Sequence, residues 1–185
     1  MRTRSSVLQR ARDGDFTELA RLYAPLVFQM ARKLHLDEND ARDVMQETML
    51  ELMRLLPRFE YDRQKGTFKG LLKRMVRLRT TDLLRQRNRV KLDEDPGQHQ
   101  GPDDPFEVLF EREWMHARLQ TALDRVRKEV QTSTFRSFEG LVLRGLPMEK
   151  VCKQLGQKPN QASQNKRRVI QRLRAHLEDF LDEDE

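Results

Sequence analysis

Apolar residues recur at intervals of three and four through most of this chain and nowhere alternate strictly, so the pattern predicts helices and no strands. Ser5 and Ser6 can cap a short helix that ends at Gly14. Asp15 can cap a second, from Phe16 to about Leu34, with Leu19, Leu22, Tyr23, Leu26 and Met30 inward and a bend or join expected at Pro25. Asn39 or Asp40 starts a third helix, which Pro57 stops, and Thr67 offers a cap for a fourth that reaches about Arg89. Further on, Phe106 to about Val130 and Thr132 to Arg144 read as helices, the second closed by Gly145. A short helix from Pro147 to Leu155, the turn Gly156-Gln157-Lys158 and a basic helix from Pro159 to about Leu181 complete the chain. Two helices around a short Gly-containing turn, the second one basic, form a helix-turn-helix signature.

Periodicity breaks for longest at Leu92 to Pro105, which combines acids, glycine and three prolines. Such a composition buries too little apolar area to offset its ordering entropy and reads as a flexible linker. The expected fold is therefore all-α: two small helical domains, at 5–90 and 107–181, joined by a linker at 91–106.

Composition narrows the functional classes. With 37% apolar and 36% charged residues, 185 residues can build one or two small helical cores. The single cysteine, Cys152, excludes an internal disulfide and fits a reducing interior. No run approaches the roughly 20 apolar residues of a membrane span, and the N-terminus has no signal-peptide core, so a cytoplasmic protein without membrane insertion is expected. His35, His99, His116 and His176 show no metal-ligand spacing, and the chain has no phosphate-binding glycine loop, no nucleophile elbow and no carboxylate pair in a plausible pocket. No catalytic residue, metal or cofactor is expected.

Charge is distributed unevenly. Between Arg63 and Lys91 stand eleven bases and one acid, Asp82, while Lys158 to Arg174 adds six bases and no acid. Since the whole chain is only +6, the remainder is acidic. An acidic chain with two basic blocks looks built to touch a polyanion at two points.

Helical spacing assigns residues to faces. On the third helix Ala41, Val44, Met45, Thr48, Leu52, Leu55 and Leu56 form the core side. Asp43, Gln46, Glu47 and Leu50 come out opposite, as either a solvated face or a docking patch for a partner helix that bears arginine. On the fourth helix Phe68, Leu71, Leu72, Met75, Val76 and Leu83 face inward. Lys69, Lys73, Arg77 and Thr80 share an exposed face, a cation ladder suited to a phosphate backbone or, more plainly, to solvent. Lys65 and Arg74 belong to the same basic block, and Arg79 is expected to pair with Asp82. On the last helix Ala162, Val169, Ile170, Leu173, Leu177 and Phe180 face inward. Ser163, Gln164, Arg167, Arg168 and Gln171 point away, with Lys166 at the margin. Gln and Arg are residue types that read base edges in a major groove, although a charged coiled-coil face would look similar.

Three stretches together resemble bacterial sigma-70 family initiation factors of the extracytoplasmic-function (ECF) class. Asp40 to Phe59, with Asp43, Gln46 and Glu47 in an Asp-x-x-Gln-Glu pattern, resembles the helix that binds the RNA polymerase clamp. Lys65 to Arg89 looks like the segment that binds the −10 promoter element, and Leu146 to Leu177 like the domain that recognises the −35 element. The resemblance implies a region 2-like bundle and a region 4-like helix-turn-helix, a sigma factor that is not an enzyme, and core polymerase and promoter DNA as partners. An anti-sigma factor is a further partner it allows. By the resemblance, core binding falls to Asp43, Gln46, Glu47 and Leu50; −10 binding to Lys65, Lys69, Lys73, Arg74, Arg77 and Thr80; and −35 binding to Ser163, Gln164, Lys166, Arg167, Arg168 and Gln171. The sequence departs from the family where Leu71 replaces a usual Trp, Leu78 a usual Asn and Lys150 a usual Glu. A stand-alone helix-turn-helix regulator and a basic adaptor protein are the rival readings.

Overall fold

The computed structural model describes residues 7–58, 67–88 and 104–184. Ser5, Ser6, Phe59, Tyr61, Lys65 and most of the expected linker lie outside them. Eight α-helices and no strand occur among the described residues: α1 Val7–Arg12, α2 Thr17–Lys33, α3 Glu38–Leu55, α4 Phe68–Asn88, α5 Pro105–Glu129, α6 Thr132–Phe138, α7 Met148–Leu155 and α8 Pro159–Asp184. The chain divides into two compact units, residues 1–117 with 183–185, and 118–182. The division falls inside α5, later than the expected linker, because the aromatic side chains at the start of that helix pack with the first unit.

Local chemistry sets four of the helix starts. The Asp15 carboxylate accepts from the Thr17 N–H (3.1 Å), Asp37 from the Asp40 N–H (3.0 Å) and the Thr67 hydroxyl from the Gly70 N–H (3.1 Å). Asp104 accepts from the Phe106 N–H (2.9 Å), with Pro105 at the first helical position, where its missing N–H is harmless. α2 runs through Pro25 without the expected join, and Pro25 stays on its exposed side.

In the first unit α2 supplies Leu19, Leu22, Tyr23, Leu26, Val27 and Met30 to the core. From α3 come Ala41, Val44, Thr48 and Leu52, and from α4 Phe68, Leu72, Met75 and Val76. Leu55, expected inside, is 41% exposed. The helix ends there, and Leu56, at the start of a short 3-10 segment, is fully buried as expected.

The second unit closes on Ala122, Leu123 and Val126 of α5, Phe135 and Phe138 of α6, and Val169 and Leu173 of α8. α6 continues as a π-helical segment, Glu139–Leu143, that carries Gly140 against Val151 of α7. A Cβ on Gly140 would come 2.9 Å from Val151 Cγ2, so only glycine allows α7 this close. Gly156 then ends α7 with φ 62°, the left-handed conformation that turns the chain into α8.

Candidate nucleic-acid interface

The two basic blocks meet different surroundings. On α8, Gln164, Arg167, Arg168 and Gln171 are exposed, and their side chains make no hydrogen bond or ion pair with another described residue. Ser163 and Lys166 are half-buried beside them. A buried polar network lies behind this face. Asn165 Nδ2 donates to Ser137 Oγ (3.2 Å), Thr134 Oγ1 to Asn165 Oδ1 (3.4 Å), and Ser137 Oγ to Gln157 Oε1 (2.7 Å). These bonds tie α8 to α6 and to the turn, and they fix the rotation of the open face about its own axis. Farther along α8, Arg118 donates to the Leu177 carbonyl (3.1 Å), and buried His176 meets Glu129 at 3.0 Å.

On α4 the cation ladder exists, but it is occupied. Lys69 Nζ donates to Glu111 (2.6 Å), Lys73 Nζ to Glu107 (2.6 Å), and Arg77 to both Asp104 (2.6 Å) and Glu107 (2.8 Å). Each step toward the C-terminus of α4 meets an acid one turn nearer the N-terminus of α5, so the two charge rows run in opposite directions. The side chains of Lys69, Lys73 and Arg77 keep only 26%, 28% and 22% exposure. Arg74, one residue off the row, is exposed.

Thr80 is not on that face. It is 1% exposed, and its hydroxyl donates back to the Val76 carbonyl (2.8 Å), as threonine in a helix often does. Arg79 also departs from expectation. It donates to Glu47 and, at 2.5 Å, to Glu51 on α3 rather than to Asp82, because two carboxylates one turn apart match both ends of its guanidinium. Leu78 is 53% exposed beside the ladder.

Aromatic packing holds the start of α5 in place. Trp114 stacks on Tyr23 with ring centres 5.1 Å apart and lies 6.3 Å from Phe68, while Phe110 stacks on Trp114 at 5.8 Å. Phe106 carries the Arg77 guanidinium over its face at 4.3 Å. Half-buried ion pairs contribute about 1 kcal/mol or less each, against roughly 2–3 kcal/mol for each large buried apolar side chain. The aromatic stripe therefore docks the helix, and the acids set which cations it covers.

Lys33 of α2 and Arg112 of α5 both donate to buried Glu113 of α5. Burial pushes this carboxyl up, but Lys33 and then Arg112 outweigh it and hold its pKa below the usual glutamate range. The folded value is depressed, so the pair's stabilisation is complete above the unfolded pKa and is lost as pH falls through the folded one. Urea melts of wild type and Glu113→Gln should therefore converge as pH drops below the glutamate range, with wild type the more stable near pH 7. A constant difference at every pH would contradict this account.

The core-binding candidates Asp43, Gln46, Glu47 and Leu50 are all exposed on one side of α3, with Glu47 also held by Arg79. Residues 19–90, from α2 past the end of α4, match the Sigma-70 region 2 family. Over 168 residues, 89% of the chain, the sequence is 31% identical to the ECF RNA polymerase sigma factor SigE of Mycolicibacterium smegmatis. The chain carries a sigma-70 region 2 domain. It spans 60% of that relative's length. No solved structure matches it. Sigma factors are transcription initiation factors rather than enzymes. Among the described residues no group of three or more His, Cys, Asp or Glu is placed to hold a metal, and no helix is long and apolar enough to cross a membrane.

The family match ends before the acidic start of α5, and Asp104, Glu107, Glu111, Glu113 and Trp114 were not singled out by sequence reasoning. A signal was available. Asp104, Glu107 and Glu111 are spaced by three and four, the bases they meet by four and four, and Phe106, Phe110 and Trp114 recur every fourth residue beside them.

Proposed function

We propose that this chain is a sigma factor of the ECF class that binds core RNA polymerase and directs initiation at promoters with −10 and −35 elements. The observation that carries the reading is the presence, in one chain, of a region 2 match and a helix-turn-helix whose second helix leaves Gln164, Arg167, Arg168 and Gln171 open. Arg bidentate to guanine and Gln to adenine are the pairings such a face can make with −35 bases, with Lys166 and Ser163 at its edge for phosphates. Lys69, Lys73, Arg77 and the exposed Arg74 would follow the backbone of the −10 strand. Thr80, being buried, would support α4 rather than touch DNA. Asp43, Gln46, Glu47 and Leu50 form a mixed acidic and apolar patch suited to an arginine-bearing helix of the polymerase clamp.

Charge reversal tests the polymerase patch. Asp43→Lys is cleaner than a change at Glu47, since Asp43 makes no hydrogen bond or ion pair with another described side chain whereas Glu47 also holds Arg79. Core polymerase captured by the tagged variant should fall at least about 10-fold, with binding to a −35 duplex unchanged. Unchanged capture would remove this face from the interface. Tight, sequence-specific duplex binding by a wild-type chain that captures no polymerase would instead favour a stand-alone regulator.

A further inference from the structure

We propose that the acidic start of α5 is a built-in competitor for DNA, which occupies the α4 cation ladder and lowers its affinity until the nucleic acid displaces it. The inference rests on the reading of that ladder as a DNA-binding face, and it adds the regulation of that face.

Three observations carry it. The pairing is complete along the row: Lys69, Lys73 and Arg77 each donate to a carboxylate of α5, and Glu107 bridges two of them. The acids recur about one helical turn apart, as the cations do, so the row presents negative charge where successive phosphates of a strand would lie. Finally, the row is held there by Phe110 and Trp114, both fully buried, so it stays beside the ladder without relying on the ion pairs. On α8, by contrast, the equivalent bases are uncovered. The two DNA-facing surfaces thus differ in readiness, one open and one shielded.

Counterion release gives the size of the effect. DNA that meets a shielded cation must break an existing pair, whereas an unshielded one exchanges only salt ions. Freeing three cations should steepen the dependence of log affinity on log salt by about 2 for a single strand.

The test measures binding of the full chain to a labelled single-stranded oligonucleotide of about 20 nucleotides across a salt series, by fluorescence anisotropy. The variant Asp104→Asn/Glu107→Gln/Glu111→Gln keeps the helix cap, because Asn caps as well as Asp, and leaves the aromatic stripe untouched. At low salt it should bind at least about 10-fold more tightly than wild type, with the steeper slope. Glu107→Gln alone, a milder change that frees parts of two pairs, should fall between the two. Combining the triple change with Lys69→Gln/Lys73→Gln/Arg77→Gln should abolish the gain.

Two other results would overturn the proposal, and they separate it from the reading beneath it. If the acid variants gain nothing while neutralising the ladder in wild type weakens binding, the ladder touches DNA but α5 does not compete. If neither set of changes moves affinity, the ladder is not a DNA face at all.

Discussion

Trp114→Ala should destabilise the first unit by about 3–5 kcal/mol, the usual range for deleting a fully buried large aromatic from a packed core. Trp114 is 1% exposed and stacks on Tyr23 and Phe110, with the tilted ring of Phe68 6.3 Å away. Its loss removes the burial, the stacking and the anchor for the acidic row at once. A urea midpoint followed by circular dichroism measures the loss, and Trp114→Phe should recover part of it by refilling most of the volume. A change under about 1 kcal/mol for the alanine variant would mean that the start of α5 is not docked on the first unit. Trp114 is the only tryptophan in the chain, so wild-type emission independently reports its burial. A blue-shifted maximum is expected, moving red on unfolding.

Arg168→Ala should have the second large effect, on promoter use rather than on stability. Arg168 is exposed, and its side chain makes no hydrogen bond or ion pair with another described residue, so its removal costs the fold little. A bidentate contact to a base edge discriminates by about 1–3 kcal/mol, which corresponds to roughly 5- to 150-fold in promoter-dependent initiation. Core-polymerase capture should stay at the wild-type level. Equal loss at templates with and without a −35 element would assign Arg168 to general phosphate contact instead. Asn165→Ala gives a useful contrast. Asn165 touches Ser137 and Gln157 behind the face, so its loss should lower both stability and promoter discrimination.

Where the chemistry is local, the sequence was a good guide, although α3 starts at Glu38 on the Asp37 cap and not at the expected Asn39 or Asp40, because the Asp37 carboxylate takes the Asp40 N–H. Asp15 and Thr67 accept from backbone N–H groups as their positions suggest, and Gly156 turns the chain between α7 and α8. The inward stripes of α2 and α4 followed from spacing, because one face of each helix is plainly apolar. Leu55 and Thr80 were misplaced for a shared reason. Periodicity says which way a residue points on an ideal helix, but not where the helix stops or whether a hydroxyl satisfies itself on the preceding turn. Arg79 went to α3 for a reason that spacing on its own helix does not contain.

The candidate site was half legible. The open face of α8 was read from residue type and spacing, and α4 was correctly given a row of cations. What covers that row lies outside any local pattern. Composition marked the stretch through Pro105 as a linker, yet Asp104 is buried at its end and caps the helix that carries the competing acids. Complementary spacing of two charged rows can be noticed in a sequence. Their meeting depends on where Phe106, Phe110 and Trp114 find their partners, which is a tertiary choice.

Purified core polymerase, the full-length chain and a pool of promoter fragments, with transcript 5′ ends mapped by sequencing, test the central claim most directly. Discrete start sites preceded by shared −10 and −35 sequences at a fixed separation are predicted, dependent on addition of the chain and weakened by Asp43→Lys and by Arg168→Ala through separate steps. Transcripts that do not change when the chain is added, together with no capture of core enzyme at low salt, would contradict it.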